Sequence, residues 1–359
     1  MILNQRYYLQ TQSINLEHIM AETMQHWTMN AVGREHLQLT ESAIPQPGPH
    51  QVRVKVNAVA LNYRDKMVIE GTMPLDLPLP FIPASDMAGV VDAVGSGSTR
   101  FRPGDRVIST FNPDWIDGKP NGDARTPPYR SLGGFYQGML AEYVVVDEAW
   151  LTASPTTLDD AQASTLPCAG LTAWFALVER GHLRAGESVL VQGTGGVALF
   201  ALQIAKAHGA QVFVTSGSEE KLQRAKALGA DHGIHRLQED WVESIYSLTQ
   251  DRGIDHIVET VGGSNLVNSL RAVAIHGRIS VIGVLEGFDI AIPASLLLLK
   301  SPQIQGIGVG HRRALEDLVR AVDANGIKPV IDQRYHFDQL PAALDHLDRG
   351  AFGKIVLTR

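Results

Sequence analysis

The chain has 359 residues, enough for one large domain or two ordinary ones, and 31 Lys and Arg against 38 Asp and Glu leave a formal charge of −7 with no basic run. That balance excludes a phosphate backbone as an expected partner, and no apolar run approaches the ~20 residues of a membrane-spanning helix. The single cysteine, Cys168, excludes an internal disulfide and a thiolate-rich structural zinc site, and suits a reducing cytoplasmic setting.

Residues 1–26 lack a secretory pattern and read either as an appended arm or as a start codon placed too early, since Met20 and Met24 both precede Trp27, where patterned sequence begins. From Gln51 the run VRVKVNAV alternates, with Val52, Val54, Val56 and Ala58 on one face and Arg53, Lys55 and Asn57 on the other, which predicts a half-buried strand. Short segments such as AGVVDAVG and RPGDRVIST follow, split by Gly and Pro, so the stretch to about Trp150 reads as a small β-barrel or sandwich. Asn112 to Gly138 is rich in Pro, Gly and Asp and reads as a long surface loop.

After Ser154 the pattern changes. SVLVQ predicts a buried strand, and VALFALQIAKAHG places Val197, Phe200, Ala201, Ile204, Ala205 and His208 on one helical face. QVFVT, EEKLQRAKALGA, HIVETV and RISVIGV continue the alternation of strand and helix, the signature of a doubly wound parallel sheet. The tail after Gly310 reads as one helix, a loop and a closing strand, GKIVLTR, that returns to the first domain. The expected division is an arm over 1–26, a β domain over 27–153, a parallel-sheet domain over 154–303 and a return over 304–359.

Gly193-Thr194-Gly195-Gly196-Val197-Ala198, between a buried strand and an amphipathic helix, fits a dinucleotide-binding turn. The glycines permit a tight turn and close approach of a pyrophosphate, while the helix N-terminus offers free N–H groups and a positive dipole end. No carboxylate stands at the tip of the second strand to hold a ribose 2′-hydroxyl. That place reads Thr215-Ser216-Gly217-Ser218, and Glu219 and Glu220 are explained as acids of a first helical turn behind the N-cap Ser218. Ser216, Lys221 and Arg236 suit a 2′-phosphate, so NADP(H) is expected, although Lys221 and Arg236 also read as solvated surface charge.

Together FRPGDRV, LPCAGLTAWFAL, VQGTGGVALFALQIAKAHGA, LGAD and VETVGG, in this order over about Trp27 to Arg359, resemble the medium-chain dehydrogenase/reductase superfamily, and within it the zinc-independent quinone oxidoreductase and zinc-type alcohol dehydrogenase-like branch. The resemblance implies an α/β fold: a GroES-like β-barrel catalytic domain, split between the N-terminal part and the C-terminal tail, plus a doubly wound parallel-sheet Rossmann domain. Alignment on ALNYRD, PFIPASDMAG and LPCAG sets Asn62, Ser85 and Cys168 at the catalytic-zinc positions of the family's alcohol dehydrogenases. An amide, a hydroxyl and one thiol are a poor zinc set, and no metal is expected.

The resemblance also implies that Asn62, Tyr63 and Asp65 border the nicotinamide and substrate, and that Thr172, Gly283 and Val284 touch the cofactor. Tyr63 reads equally as a packed aromatic, and Asp65 as an anchor for a nearby arginine. Without a metal, hydride acceptors that delocalise charge are the logical substrates, a quinone or an α,β-unsaturated carbonyl. The alternatives are an alcohol dehydrogenase and a non-catalytic NADPH-binding protein. Met73, where related enoyl-thioester reductases carry a proton-handling tyrosine, disfavours that branch. Trp115, Tyr129, Phe135 and Tyr136 read as pocket walls or loop anchors. Ile304 to Gly310 resembles the edge strand through which relatives form a homodimer.

Overall fold

The computed structural model describes residues 22–359; most of the expected N-terminal arm lies outside the described residues. Order begins earlier than Trp27. Strand β1 (Thr23–Met29) pairs antiparallel with β2 (Leu37–Ala43), so residues 23–26 belong to the β domain and not to an arm.

The alternating run is β3 (Gln51–Leu61), with Val52, Val54 and Val56 buried. A short helix α1 (Tyr63–Ile69) follows, then β4 (Asp86–Val94), β5 (Arg106–Ser109), β6 (Tyr143–Asp147) and β7 (Leu151–Ala153). Between β5 and β6 the long loop carries no helix or extended strand, as its composition predicts. Helix α2 (Asp160–Ala163), capped by Asp159, leads into a helical stretch over 166–180 whose middle is α3 (Leu171–Trp174).

The second domain alternates as its periodicity predicts: β8 (Ser188–Gln192), α4 (Gly196–Ala207), β9 (Gln211–Ser216), α5 (Glu219–Ala227), β10 (His232–His235), α6 (Trp241–Thr249), β11 (Ile254–Glu259), α7 (Asn265–Ala272), β12 (Val273–Val281), α8 (Ala294–Lys300) and β13 (Gln303–Gly306). Its six strands are all parallel, in the order β10-β9-β8-β11-β12-β13, so the sequence order reverses at β8 and opens a crevice beyond the strand ends there. Helix α4 buries Ala198, Leu199 and Leu202 as well as Phe200, Ala201, Ile204 and Ala205 of the predicted face, with Val197 and His208 only half-buried, because the long helical stretch covers its outer side.

The tail holds two helices and two strands, not one helix and one strand: α9 (Arg312–Asn325), β14 (Ile331–His336), α10 (Leu340–Asp348) and β15 (Lys354–Thr358). The return also lies later than residue 304. β13 is the edge of the parallel sheet, and Ala314, Leu315, Leu318 and Val322 of α9 join the apolar core that covers α4. The chain rejoins the barrel at β14 and β15, in a seven-stranded sheet ordered β14-β15-β3-β4-β5-β7 with β6 also on β3. Val356 and Leu357 of β15 are fully buried against β3, which fixes the tail to the first domain.

Candidate active site

The glycine turn follows β8 at the sequence reversal. Gly193 sits at φ +79°, a left-handed conformation that a side chain resists, and its N–H donates to the Thr215 carbonyl at 2.8 Å. Open space lies where Cβ atoms at Gly193 and Gly195 would point, as close approach of a ligand requires. Gly195 caps α4, Gly196 and Val197 open it, and the twelve-residue helix directs its N-terminus at that space. These features fit a dinucleotide pyrophosphate.

The other predicted cofactor residues occupy neighbouring strand ends. Ser216 ends β9, nearly buried, and Gly217 follows it; the Arg236 guanidinium lies close beside Gly217. Lys221, in the first turn of α5, donates to the Gly350 carbonyl at 2.7 Å. Gly283 and Val284 follow β12, and Thr172 is buried on α3. Beside them Glu259, fully buried at the end of β11, accepts from the Val261 and Gly262 amides at 2.9 and 3.0 Å and from Asn265. Sequence reading missed this carboxylate because it placed the strand two residues late.

Across the crevice, Asn62 is the N-cap of α1 and Tyr63 its first residue. Tyr63 is 45% exposed, with the Lys66 ammonium near its ring face, so it is not a packed core aromatic. Asp65 is fully buried with both oxygens engaged: it accepts from the Asn62 backbone N–H at 2.8 Å and pairs with Arg64 at 3.0 Å. Arg64 also donates to the Leu132 and Gly133 carbonyls and to Ser131, tying α1 to the end of the long loop.

Ser85 donates to Asp86 at 2.6 Å, and the other Asp86 oxygen accepts the Cys168 amide at 3.0 Å. Burial pushes the Asp86 carboxyl up to about 6, against the pull of the Lys354 ammonium. Burial, with Asp86 nearby, also holds the Cys168 thiol well above its ordinary value, so it stays protonated. Lys354, only 4% exposed, donates to Asn62 Oδ1 at 2.6 Å and to the Leu61 carbonyl. This lysine was overlooked in the sequence, where the signal was a charged residue opening an otherwise apolar closing strand.

Of the loop aromatics, Tyr129 packs edge-on to Phe111, and burial raises its phenol while Arg64 beside it pulls the other way. Trp115 packs between Phe175 and His311, and its carbonyl accepts from Arg312, so it anchors the loop to α9. Tyr136 packs on Trp150 and bonds Asp114, while Phe135 is exposed. Met73 packs at the edge of the barrel core.

Two family models match: an alcohol dehydrogenase GroES-like domain over residues 48–156 and a zinc-binding dehydrogenase domain over 196–324. A zinc-type alcohol dehydrogenase-like protein of Schizosaccharomyces pombe is 37% identical, over 90% of this chain and 96% of that one. A quinone oxidoreductase of Rattus norvegicus is 30% identical over 90% and 94%. Among solved structures, a protein of Sinorhizobium meliloti 1021 described as a candidate alcohol dehydrogenase superimposes with a TM-score of 0.92 at 64% identity, covering 95% of this chain and all of that one. One described as an NAD-dependent alcohol dehydrogenase gives 0.85 at 36% identity, covering 94% and 100%. Near-complete coverage at these identities, on a barrel and parallel sheet joined in this order, means that the chain belongs to the medium-chain dehydrogenase/reductase superfamily, in its zinc-type alcohol dehydrogenase-like branch, and is an oxidoreductase of that family.

Proposed function

We propose that the protein is a zinc-independent, NADPH-dependent reductase of quinones or α,β-unsaturated carbonyls, working in the cytoplasm as a homodimer. The observation that carries this reading is the group where the family's catalytic metal would bind. It comprises the Asn62 side-chain amide, the Ser85 hydroxyl bonded to Asp86, and the buried Cys168 thiol, with the Lys354 ammonium among them, and among the described residues no three His, Cys, Asp or Glu side chains stand together to hold a metal. Zinc takes thiolate, neutral imidazole or carboxylate ligands, and a resident ammonium opposes a second cation, so this donor set does not fit the metal.

When bound, the dihydronicotinamide supplies the hydride. That hydride, with its electron pair, would go to the conjugated carbon of the acceptor, and the charge that develops on the acceptor oxygen would call for hydrogen-bond donors and a solvent proton. What this chain supplies is a seat for the pyrophosphate at Gly193–Val197, Thr172 and the strand ends at Gly283 and Val284 as nicotinamide walls, and donors at Asn62 and Tyr63 for the developing oxyanion. Ser216, Lys221 and Arg236 favour the 2′-phosphate, since no carboxylate stands at the tip of β9 to repel it. Asp65, whose two oxygens are taken by Arg64 and the Asn62 backbone N–H, holds α1 and the loop in place.

Dimerisation is supported by β13 at the sheet edge and by α8 beside it, where Leu298 and Leu299 are each 78% exposed. The descriptions of the two solved structures favour a second reading, an alcohol dehydrogenase. Following NADPH and NADH oxidation with a chelator present, across quinones, enones and simple aldehydes, separates the readings. Fast NADPH loss with the conjugated acceptors is expected. Turnover of simple alcohols or aldehydes that a chelator abolishes would overturn the proposal, and tight NADPH binding without turnover would point to a binding protein.

A further inference from the structure

A buried amide side chain has two chemically opposite ends, and which end faces a ligand decides whether it donates or accepts. An ammonium can only donate. Lys354 therefore leaves Asn62 no freedom: its Nζ contact at 2.6 Å requires the Asn62 oxygen on that side, and the amide nitrogen must point away. Asn62 Nδ2 is buried beside Asp86 and finds no hydrogen bond of adequate geometry. Asn62 as a whole is 7% exposed, so this donor lies inside the protein beside the Asp86 carboxylate, at the family's metal position.

Lys354 is held just as firmly. Its stem runs over the cofactor turn, where a Cβ on Gly196 would lie 2.5 Å from Lys354 Cδ, and its head is bonded to the Leu61 carbonyl and Asn62. A charge buried to this degree stays only where such partners compensate it. One side chain thus spans from the start of α4 to the N-cap of α1.

We propose that Lys354 is a positioning residue, the resident cation of the pocket, which clamps the Asn62 carbonyl oxygen and so presents Nδ2–H to the oxygen of a bound acceptor. This rests on the reductase reading above. The clamp does for a metal-free site part of what a metal does for a catalytic one: it fixes where the substrate oxygen finds its electrophilic partner.

Two variants separate this role from a structural one. Lys354→Met removes the clamp; Asn62→Asp keeps an acceptor for Lys354 and removes the donor. Each should lower kcat on a conjugated acceptor by about 100-fold, the scale of losing one oxyanion donor, with KM and the fluorescence-measured NADPH Kd within about twofold. Because both break one interaction, the double variant should be no slower than the slower single one. Multiplying losses, or a Kd that rises in step with the fall in kcat, would overturn the proposal in favour of independent roles or a cofactor contact.

A readout free of any acceptor covers the case in which the wild-type enzyme turns over no quinone or enone, which would sink the reductase reading alone. In protein labelled with ¹⁵N-asparagine, the Asn62 side-chain amide pair, identified by its loss in Asn62→Asp, should be sharp and slow to exchange, and should broaden or shift in Lys354→Met. An unchanged pair overturns the clamp. Should Lys354→Met not fold, rapid exchange of that pair in the wild type overturns it equally.

Discussion

The Gly353 amide donates to the Thr194 carbonyl at 2.9 Å, which bonds the residue before the closing strand to the middle of the cofactor turn. The barrel's last strand is therefore placed by the same few residues that would hold a pyrophosphate. Movement of either domain at this point must carry the other with it, and the crevice between β8 and α1 has a fixed inner end.

In the proposed NADPH reading, cofactor choice turns on Lys221, whose ammonium bonds the Gly350 carbonyl. In a complex with NADPH that ammonium can turn from a neutral carbonyl to a dianion, a stronger partner. Lys221→Ala should weaken NADPH by about tenfold or more, since hydrogen bonds to charged groups contribute about 1.5–3 kcal/mol. NADH should be almost unaffected, and equal weakening of both in a fluorescence titration would remove the phosphate role.

Asp86 makes stability fall as pH rises. Its carboxyl holds its proton more tightly in the folded chain than in the unfolded one, so the favourable contribution is complete below 3.8 and lost as pH climbs through about 6. Asp86→Asn keeps an oxygen for the Cys168 amide and carries no charge to bury. It should be more stable than wild type at pH 7.5 by about 1–3 kcal/mol, the upper limit set by a shift of about two pH units, and no more stable at pH 3.5. Denaturant melts at the two pH values check this; a difference independent of pH would show that Asp86 is not the titrating group.

Assembly is testable through α8. Leu298→Glu with Leu299→Glu places charge on the exposed face beside β13 without touching a core side chain, because both leucines point outward. Light scattering should find a dimer for the wild type and a monomer for the variant, with melting temperature changed by a few degrees at most. A monomeric wild type would end the proposal.

The sequence made the long barrel strand β3 and the helix α5 of the second domain legible because periodicity survives wherever an element has one buried face. It misplaced β11 because HIVETV continues apolar past the strand into Val261, and nothing local marks Glu259 as the residue whose carboxylate closes the turn. Tyr63 and Asp65 sit two positions apart yet meet opposite fates, one exposed and one buried, which depends on the loop that Arg64 reaches. Lys354 was least legible of all. Its partner Asn62 lies in another part of the chain, and only the pairing of β15 with β3 brings them together.

The place of β15 has a consequence for synthesis. This strand lies inside the seven-stranded sheet, between β14 and β3, yet it is made after the whole parallel-sheet domain. Until β15 is made, residues 58–61 of β3 present an open edge, and the barrel waits while the parallel-sheet domain, encoded wholly upstream of β14, can already close. That stretch of β3 is thus exposed to mispairing throughout synthesis of the parallel-sheet domain, and removing residues 354–359 would make the exposure permanent. A chaperone requirement should concentrate in the first domain, although that domain emerges first.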